Sequence, residues 1–258
     1  VNMVTMENNV PMPAFENNAL SAVNFGNKVE IIPDYAFSNC PNLKTFTIPA
    51  SVRHIGYKAF FGCKALQSIT IPEGVTSIGG LAFADCNGLV DVTFNATRCT
   101  GAAKIENSQP LSAFHNSKSI KNVTLGTDVE TLPDYLFFGC SSLNTVNIPQ
   151  KVKTIGNNTF AGCINLTTIN YDAARCEETL AFNGSAVVNL TIGANVKSIP
   201  NFAFTDCIRL NDFVLPATVE NIGKYAFNNC KHLTIYAPAG SYAEKYAEKN
   251  NIKFASTK

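Results

Sequence analysis

The sequence predicts a repeat solenoid, α/β or mainly β, built from about ten coils of 22–23 residues with a parallel sheet on one face. Three observations predict it. A short phrase recurs along the 258 residues, its phenylalanine returns at nearly constant spacing, and an alternating polar and apolar run follows most copies. A unit of this length cannot bury its own apolar edge, so neighbouring units must stack on it.

The recurring phrase is Ala-Phe, two residues, Cys, two residues and Leu, followed by a run that often ends in Ile-Pro. It reads AFSNCPNLKTFTIP from Ala36, AFFGCKALQSITIP from Ala59 and AFTDCIRLNDFVLP from Ala203. We call the phenylalanine of the phrase the anchor; the ten anchors are Phe15, Phe37, Phe60, Phe83, Phe114, Phe137, Phe160, Phe182, Phe204 and Phe227. Successive anchors are 22 or 23 residues apart, except for one gap of 31.

Each copy continues into a predicted strand, because polar and apolar residues alternate with the period of a half-buried strand. The predicted strands are Lys44–Ile48, Gln67–Ile71, Val90–Phe94, Lys121–Leu125, Asn144–Ile148, Thr167–Tyr171 and Asn211–Leu215. Proline directly follows several of them and ends them, since it cannot donate to a ladder. A second short apolar stretch, such as Val152–Ile155, precedes a turn at Gly or Pro. The Ala-Phe segment is then predicted as a short helical or irregular turn.

The two ends of the chain differ from the repeat. Residues 1–10 carry no periodic pattern and are predicted to be a leader or flexible segment. One solenoid is predicted over 11–254, and its last part, 241–254, is predicted to cap the open end of the sheet. Residues 255–258 are left as a tail.

The predicted cap contains a helix. Ser241 is placed to be its N-cap, and Tyr242, Tyr246 and Ala247 are expected to face the last coil. Such a helix would cover strand edges that have no further coil to pair with.

Composition and charge exclude several classes of function. The formal net charge is +1 and charged residues make up 15% of the chain. This balance argues against the broad basic surface that binds nucleic acid or anionic membrane. No apolar run reaches the roughly 18 residues that a membrane-spanning helix needs. The sequence therefore predicts neither a nucleic-acid partner nor a membrane span.

The cysteines form a ladder in the repeat rather than a metal or disulfide motif. Seven share one repeat position: Cys40, Cys63, Cys86, Cys140, Cys163, Cys207 and Cys230. Asn18, Ser117 and Ser185 hold that position in other coils, which indicates a small side chain with weak hydrogen-bonding ability. Cys99 and Cys176 follow matching phrases outside the ladder and are expected about 15 Å apart, too far for a disulfide.

Nothing in the sequence favours catalysis or a bound cofactor or metal. His54, His115 and His232 lie at unrelated repeat positions, and no Cys-x-x-Cys or paired His motif indicates zinc. Nucleophile-elbow and phosphate-binding glycine motifs are also absent from the sequence. A Cys-His pair formed by folding remains an open alternative, since catalytic groups are recognised by geometry.

The predicted binding surface is the outward face of the strands. Its residues are Thr45, Thr47, Ser68, Thr70, Asp91, Thr93, Asn122, Thr124, Thr145, Asn147, Thr168 and Asn170, continued by Asn189, Thr191, Asp212 and Val214. Solenoids use such extended surfaces to bind partners. The alternative explanation is that threonine simply suits an exposed sheet.

Two other features are candidate binding elements. Thr100–Leu111 lies in the long interval, fits no repeat phrase and is predicted to be a protruding loop. Aromatic residues stand two places before four anchors, at Tyr35, Tyr135, Phe202 and Tyr225. They would stack on sugars or peptides if exposed, or pack between coils if not.

The register Ala-Phe-x-x-Cys-x-x-Leu, Ile-Pro and Val-x-x-Ile-Gly resembles bacterial leucine-rich repeat proteins of the BspA-like type. The resemblance covers residues 14–254 and includes the closing run Ile235–Phe254. It implies a leucine-rich-repeat right-handed superhelix. It also implies an extracellular or cell-surface protein that adheres to host or neighbouring-cell proteins, although this chain carries no export signal.

Two rival functions stay open at the sequence level. One is a carbohydrate-binding component of a surface glycan-capture system, and the other is a structural spacer. One repeat scaffold serves many partners, so the pattern alone does not choose between a protein and a glycan ligand. Capped ends make a monomer the expected state.

Overall fold

The computed structural model describes residues 4–7, 10–13, 15–106, 109–176, 180–182 and 185–257. In these ranges the chain winds through successive turns of a parallel β-solenoid, and α-helix is confined to one segment near the end. The mainly β form of the predicted fold is therefore confirmed.

The described residues form 22 strands and one helix. The first eleven strands are β1 Val4–Glu7, β2 Val10–Pro13, β3 Ala22–Val23, β4 Ile31–Ile32, β5 Thr45–Phe46, β6 His54–Ile55, β7 Ser68–Ile71, β8 Ser77–Ile78, β9 Asp91–Phe94, β10 Ala103–Glu106 and β11 Gln109–Ser112. The others are β12 Asn122–Leu125, β13 Thr131–Leu132, β14 Thr145–Ile148, β15 Thr154–Ile155, β16 Thr168–Tyr171, β17 Asn189–Ile192, β18 Ser198–Ile199, β19 Phe213–Val214, β20 Asn221–Ile222, β21 Thr234–Pro238 and β22 Lys253–Thr257. Helix α1, Tyr242–Lys249, lies between β21 and β22.

Six strands form one parallel sheet, the front sheet, in the order β7, β9, β12, β14, β16, β17. Equivalent residues of successive coils pair, so Asp91 is flanked by Ser68 and Asn122. The apolar residues between them, such as Ile69 and Val92, are buried in the core. Shorter parallel pairings stand at the two ends, β3 with β5 and β19 with β21 and β22. The predicted strands are confirmed, and most begin one residue later than expected.

A second ladder of two-residue strands follows the front sheet in each coil. It comprises β4, β6 and β8, then β13 and β15, then β18 and β20, all parallel. Single bridges from Arg98 and Arg175 continue it, and these arginines directly precede Cys99 and Cys176. The coils with those two cysteines therefore join the second ladder through single bridges in place of two-residue strands.

The ten anchors stack in one continuous column. The nine neighbouring ring pairs have centroids 5.2–5.7 Å apart and ring planes within 16° of parallel. Every anchor except the half-buried Phe15 is at most 2% exposed. Since each ring covers the next, coil-to-coil stacking buries the large apolar surface that no single coil could hide.

The turn around nine of the ten anchors depends on left-handed backbone two residues later, at positions that the structure describes. These positions have φ between +54° and +76° and are Asn17, Asn39, Gly62, Asp85, Asn116, Gly139, Gly162, Asp206 and Asn229. Gly, Asn and Asp adopt this conformation at the lowest cost. A left-handed residue cannot continue an α-helix, which explains why the irregular-turn alternative is the correct one for the Ala-Phe segment.

Two antiparallel hairpins depart from the coil pattern. Strands β10 and β11 pair from Ala103 with Ser112 to Glu106 with Gln109, so the segment predicted as a loop, Thr100–Leu111, contains antiparallel strands. Strands β1 and β2 pair in the same manner from Val4 with Pro13. The predicted leader over 1–10 therefore contains strand residues, and the solenoid boundary at residue 11 stays a prediction.

Helix α1 begins where the sequence predicts. The Ser241 Oγ accepts a hydrogen bond from the Glu244 amide at 3.4 Å, and Tyr246 and Ala247 are buried. Tyr242 also faces the last coil, because its hydroxyl donates a hydrogen bond to the Asn221 side chain at 3.3 Å, but it is 42% exposed while Ala243 is buried. The inward face of the helix is rotated by one residue, which leaves Tyr242 at its edge.

Strand β22 is an element that the sequence analysis did not predict. It pairs in parallel with β21 over five residues, from Lys253 with Thr234 to Thr257 with Pro238. Residues 255–257, expected as tail, are part of this strand. The strand adds a last rung to the sheet after helix α1.

At the turn before the anchor, a glycine in one coil packs closely against the backbone of a proline in the preceding coil. A Cβ on Gly156 would overlap the Asp134 amide nitrogen and lie 2.5 Å from the Pro133 carbonyl carbon. The Asp134 carboxylate accepts a hydrogen bond from the Asn157 amide at 2.6 Å and holds this contact. Gly56 and Gly223 meet Pro33 and Pro200 of their preceding coils in the same manner.

We expect Gly156→Ala to lower the free energy of unfolding by about 1–3 kcal/mol, because the added methyl group meets backbone that cannot move independently. Urea denaturation followed by circular dichroism measures the change. Gly26→Ala is the matched control, since a Cβ there meets nothing within 4 Å. If both variants lose the same free energy of unfolding, the close contact of Gly156 with Pro133 and Asp134 is not the cause of the loss.

Candidate binding surfaces

The structure brings most of the predicted binding residues together on the front sheet. None of the twelve is buried, and ten lie in strands β7, β9, β12, β14 and β16. They form two columns: Ser68, Asp91, Asn122, Thr145 and Thr168 in one, and Thr70, Thr93, Thr124, Asn147 and Asn170 in the other. Between β12 and β14 the paired residues are Asn122 and Thr145. Strand β17 extends the columns with Asn189 and Thr191. That these columns bind a partner stays a prediction.

Thr45 and Thr47 lie apart from the other ten. Thr45 belongs to β5, which pairs with β3, and Thr47 follows that strand. Both line an open depression that also contains Phe25 and Phe46. The front sheet therefore brings together ten of the predicted residues and leaves these two at its N-terminal end.

Side-chain hydrogen bonds run along the columns. The Asn122 amide donates to the Asp91 carboxylate at 2.6 Å, and the Asn170 amide donates to the Asn147 side-chain oxygen at 2.6 Å. These bonds fix side-chain rotamers between neighbouring coils. The face presented to solvent is thus polar, almost uncharged and ordered before any partner binds.

The ladder cysteines are hydrogen-bond donors to the preceding coil. The thiols of Cys63, Cys86 and Cys163 donate to the carbonyl oxygens of the anchors 26 residues earlier, at 3.2–3.3 Å. Ser117 fills the same position and donates to the Phe83 carbonyl at 2.7 Å. All nine cysteines are outside disulfides. The prediction that this repeat position holds a small hydrogen-bonding side chain is therefore confirmed.

Burial makes these thiols poor nucleophiles. It raises the pKa of Cys63 and Cys163 to about 12 and the pKa of Cys99 to about 11. The thiolate is the reactive form of cysteine, so thiols with such values stay protonated and inert at neutral pH. The ladder cysteines therefore give no support to a catalytic Cys-His pair.

The histidines lie in separate environments. His54 Nδ1 is 2.8 Å from the Ser77 hydroxyl on the next strand of the second ladder, at the surface. No group of three or more His, Cys, Asp or Glu side chains in the described part of the chain is placed to hold a metal ion. The described residues also include no helix that is long and apolar enough to span a bilayer.

The aromatic residues two places before the anchors have left-handed backbone. Tyr35, Tyr135, Phe202 and Tyr225 have φ of 58–59°. This conformation costs bulky residues of order 1–3 kcal/mol and must be held by packing. Tyr225 packs on Phe202 with ring centroids 5.3 Å apart and is still 43% exposed. Tyr225 therefore packs against the neighbouring coil and is also partly exposed to solvent.

Glutamates bridge basic residues of different coils along the second ladder. Glu130 pairs with Arg98 at 2.9 Å and with Lys153 at 3.2 Å. Hydrogen bonds from Arg98 and then Lys153 lower the pKa of Glu130. Glu220 pairs with Arg175 and Lys197 in the same manner. Exposed pairs of this kind contribute little to stability, but they neutralise this edge of the solenoid.

The sequence analysis missed two adjoining surface concavities at the C-terminal end of the solenoid. They lie between helix α1 and the last coils; lysine and tyrosine line most of one, and asparagine is the most frequent residue lining the other. Their residues come from a turn, a helix and the unpredicted strand β22, so no repeat position identifies them.

Several solved bacterial structures are similar to this chain. A leucine-rich repeat protein from Bacteroides ovatus is 22% identical with a TM-score of 0.38, covering 100% of this chain and 91% of its own. A leucine-rich repeat protein from T. pallidum is 21% identical with a TM-score of 0.43, covering 91% and 85%. A leucine-rich cell surface protein from Faecalibacterium prausnitzii is 19% identical with a TM-score of 0.37, covering 93% and 88%.

A family model also matches the sequence. The BspA type leucine rich repeat region, six copies long, matches residues 8–111, 107–234 and 178–253. No curated protein matches the chain significantly. The family matches overlap and extend over nearly the whole solenoid, including its cap.

Proposed function

The chain belongs to the BspA-type leucine-rich repeat family, and from this premise we propose that it is a non-enzymatic binding module, secreted or held at the cell surface. Its proposed ligand is a protein of a host or neighbouring cell, bound through the front sheet. The observation that carries the proposal is the pair of registered polar columns on an open sheet. A rigid, extended surface of this kind suits a macromolecule rather than a small substrate.

The composition of the columns favours a protein ligand at this face. Nine of the ten column residues on strands β7 to β16 carry a hydroxyl or amide group, the exception being Asp91, and these groups offer both donors and acceptors. None of the twelve predicted residues is aromatic, whereas sugar-binding surfaces usually stack sugars on aromatic rings. The six strands of the front sheet, at the usual strand spacing of about 4.8 Å, extend over about 24 Å, which is longer than a small ligand needs.

The chemistry of the described side chains supports a non-enzymatic role. The ladder thiols are buried donors with raised pKa values, and the surface glutamates of the second ladder are engaged by arginine and lysine. Neither set combines a nucleophile with a base and an orienting group, which catalytic sites of this kind need.

We expect Thr124→Arg with Asn147→Arg to abolish capture of the protein ligand, because two long charged side chains would stand in the middle of the polar columns. Affinity capture from a host-matrix extract, quantified by mass spectrometry, identifies the ligand. Surface plasmon resonance with the purified ligand then measures the loss, expected to exceed about tenfold in Kd.

The matched control carries the same added charge on the turn side. Ile164 and Ile208 are 67% and 52% exposed, so Ile164→Arg with Ile208→Arg leaves both the core and the front sheet intact. This control should bind as the wild type does. Equal losses in both variants, strong glycan-array binding without a protein ligand, or no ligand in either assay would overturn the proposal.

A further inference from the structure

Two adjoining clefts lie where helix α1 packs on the last coils. Their volumes are about 490 Å³ and about 300 Å³, and they share Tyr225, Tyr246 and Asn250. We call them together the cap groove. It lies at the C-terminal end of the solenoid and includes no residue of the two columns on the front sheet.

Among the residues that the structure describes, lysines line the cap groove and no carboxylate does. The larger cleft contains Lys224, Lys245 and Lys249, and the smaller contains Lys231 and Lys253. In the described part of the chain, the ion pairs involve other basic residues. The chain as a whole has a net charge of only +1, so the groove is a local concentration of positive charge. A cleft lined by one sign of charge attracts ligands of the opposite sign.

Helix α1 turns one face into the groove. Tyr242, Lys245, Tyr246 and Lys249 have the spacing of residues that share a helix face. Glu244 points elsewhere, since its carboxylate accepts a hydrogen bond from the Gly240 amide at 2.6 Å. The sequence of the helix thus separates its lysines from its glutamates, with the lysines on the groove side.

Tyrosine rings remain accessible beside these lysines. Tyr225 is 43% exposed and Tyr242 is 42% exposed. The Lys224 ammonium lies 4.6 Å from the centre of the Tyr225 ring, and the Tyr242 hydroxyl donates to the Asn221 side chain at 3.3 Å. Lys224 and Phe202 both contact the Tyr225 ring, whereas Tyr242 is held by its hydroxyl and offers an exposed ring for stacking.

We propose that the cap groove binds an acidic carbohydrate, a glycan whose sugar rings carry carboxylate or sulfate groups. Lysine ammonium groups would bind the anionic groups, and the exposed Tyr242 ring would stack on a sugar ring. The Asn250 side chain is a hydrogen-bonding group where the two clefts meet. Cleft volumes of this size suit one or a few sugar rings. Nucleic acid is the less favoured ligand, because the nearly neutral chain lacks a continuous basic surface.

Isothermal titration calorimetry with a heparin hexasaccharide tests this proposal. Lys224→Gln, Lys245→Gln and Lys249→Gln together should weaken binding by at least about tenfold, because three charge-assisted contacts are lost. Tyr242→Ala, which keeps every charge, should weaken it by about threefold to tenfold through the lost stacking. Maltohexaose, which has the sugar rings without the charges, should bind far more weakly than heparin.

The control variant removes three exposed lysines elsewhere, Lys64→Gln, Lys118→Gln and Lys121→Gln, and matches the change in net charge. It should bind heparin as the wild type does, and circular dichroism should show the same fold for every variant. Lys245→Gln alone is the milder variant if the triple one is unstable. The proposal is overturned if the control loses as much affinity as the groove variant. It also fails if single-stranded DNA binds as tightly as heparin while Tyr242→Ala has no effect.

Discussion

Raising the pH from about 8 to about 10 is expected to lower the free energy of unfolding steeply. Burial raises the pKa of Cys63 and Cys163 to about 12 and holds the pKa of Cys86 and Cys140 well above the ordinary value. A thiol in the unfolded chain has a pKa of about 8.5. Above that value the unfolded chain loses protons and the folded chain does not. Stability is therefore fully present below about pH 8 and falls as the pH rises towards the folded pKa.

The expected size of the effect follows from proton linkage. Each thiol that ionises only in the unfolded chain removes about 1.4 kcal/mol for every pH unit. Four such thiols together remove about 5 kcal/mol per pH unit, which is comparable with the total stability of a typical domain. Urea denaturation at a series of pH values measures the slope.

Cys63→Ser with Cys163→Ser is the control for this prediction. Serine fits the ladder, as Ser117 shows by donating to the Phe83 carbonyl, and it does not ionise in this pH range. The slope should fall by about 3 kcal/mol per pH unit in the double variant. Lysine and tyrosine ionisation is common to both proteins and cancels in the comparison. Identical slopes would show that the ladder thiols are not the groups responsible.

The coil could be predicted from sequence because each coil meets nearly the same neighbours. Ile69 and Val92 lie on the same strand position of successive coils, and both are buried. A local pattern of alternating residues therefore determines which side faces the core in the whole molecule. The anchor column follows from the same logic, since a phenylalanine returning every coil has no other place to pack.

The elements that the sequence analysis missed are those that pair outside the repeat. The β10–β11 hairpin pairs with itself, and β22 adds to β21 after the helix, so the repeat spacing says nothing about either. Left-handed backbone at Tyr35 and Tyr225 also runs against residue preference. Packing from neighbouring coils, which residue preference does not report, holds these two residues.

The two candidate sites differed in how far they could be predicted. The positions of Thr70 and Thr124 on an open sheet followed from strand alternation, and the structure places them there. The cap groove combines Lys224 from a turn, Lys245 from α1 and Lys253 from β22. These lysines become neighbours only when the helix docks, and no periodic signal marks that contact.

Phe160→Ala is expected to lower the free energy of unfolding by about 3–5 kcal/mol. Phe160 is fully buried and stacks on Phe137 and Phe182 with ring centroids 5.7 and 5.2 Å away. Removing the ring takes away its burial and leaves a cavity between two coils that are held apart by their own strands. Urea denaturation measures the loss, and hydrogen exchange should show reduced protection in the coils on both sides.

Phe15→Ala is the contrasting variant, because its ring is half-buried and has an anchor on only one side, Phe37, at 5.4 Å. In a stack where each coil contacts only its neighbours, a lost ring in the middle weakens two interfaces and a lost ring at the end weakens one. We therefore expect Phe15→Ala to cost clearly less than Phe160→Ala. If both variants lose the same free energy of unfolding, each anchor contributes independently and the stacked rings do not couple one coil to the next.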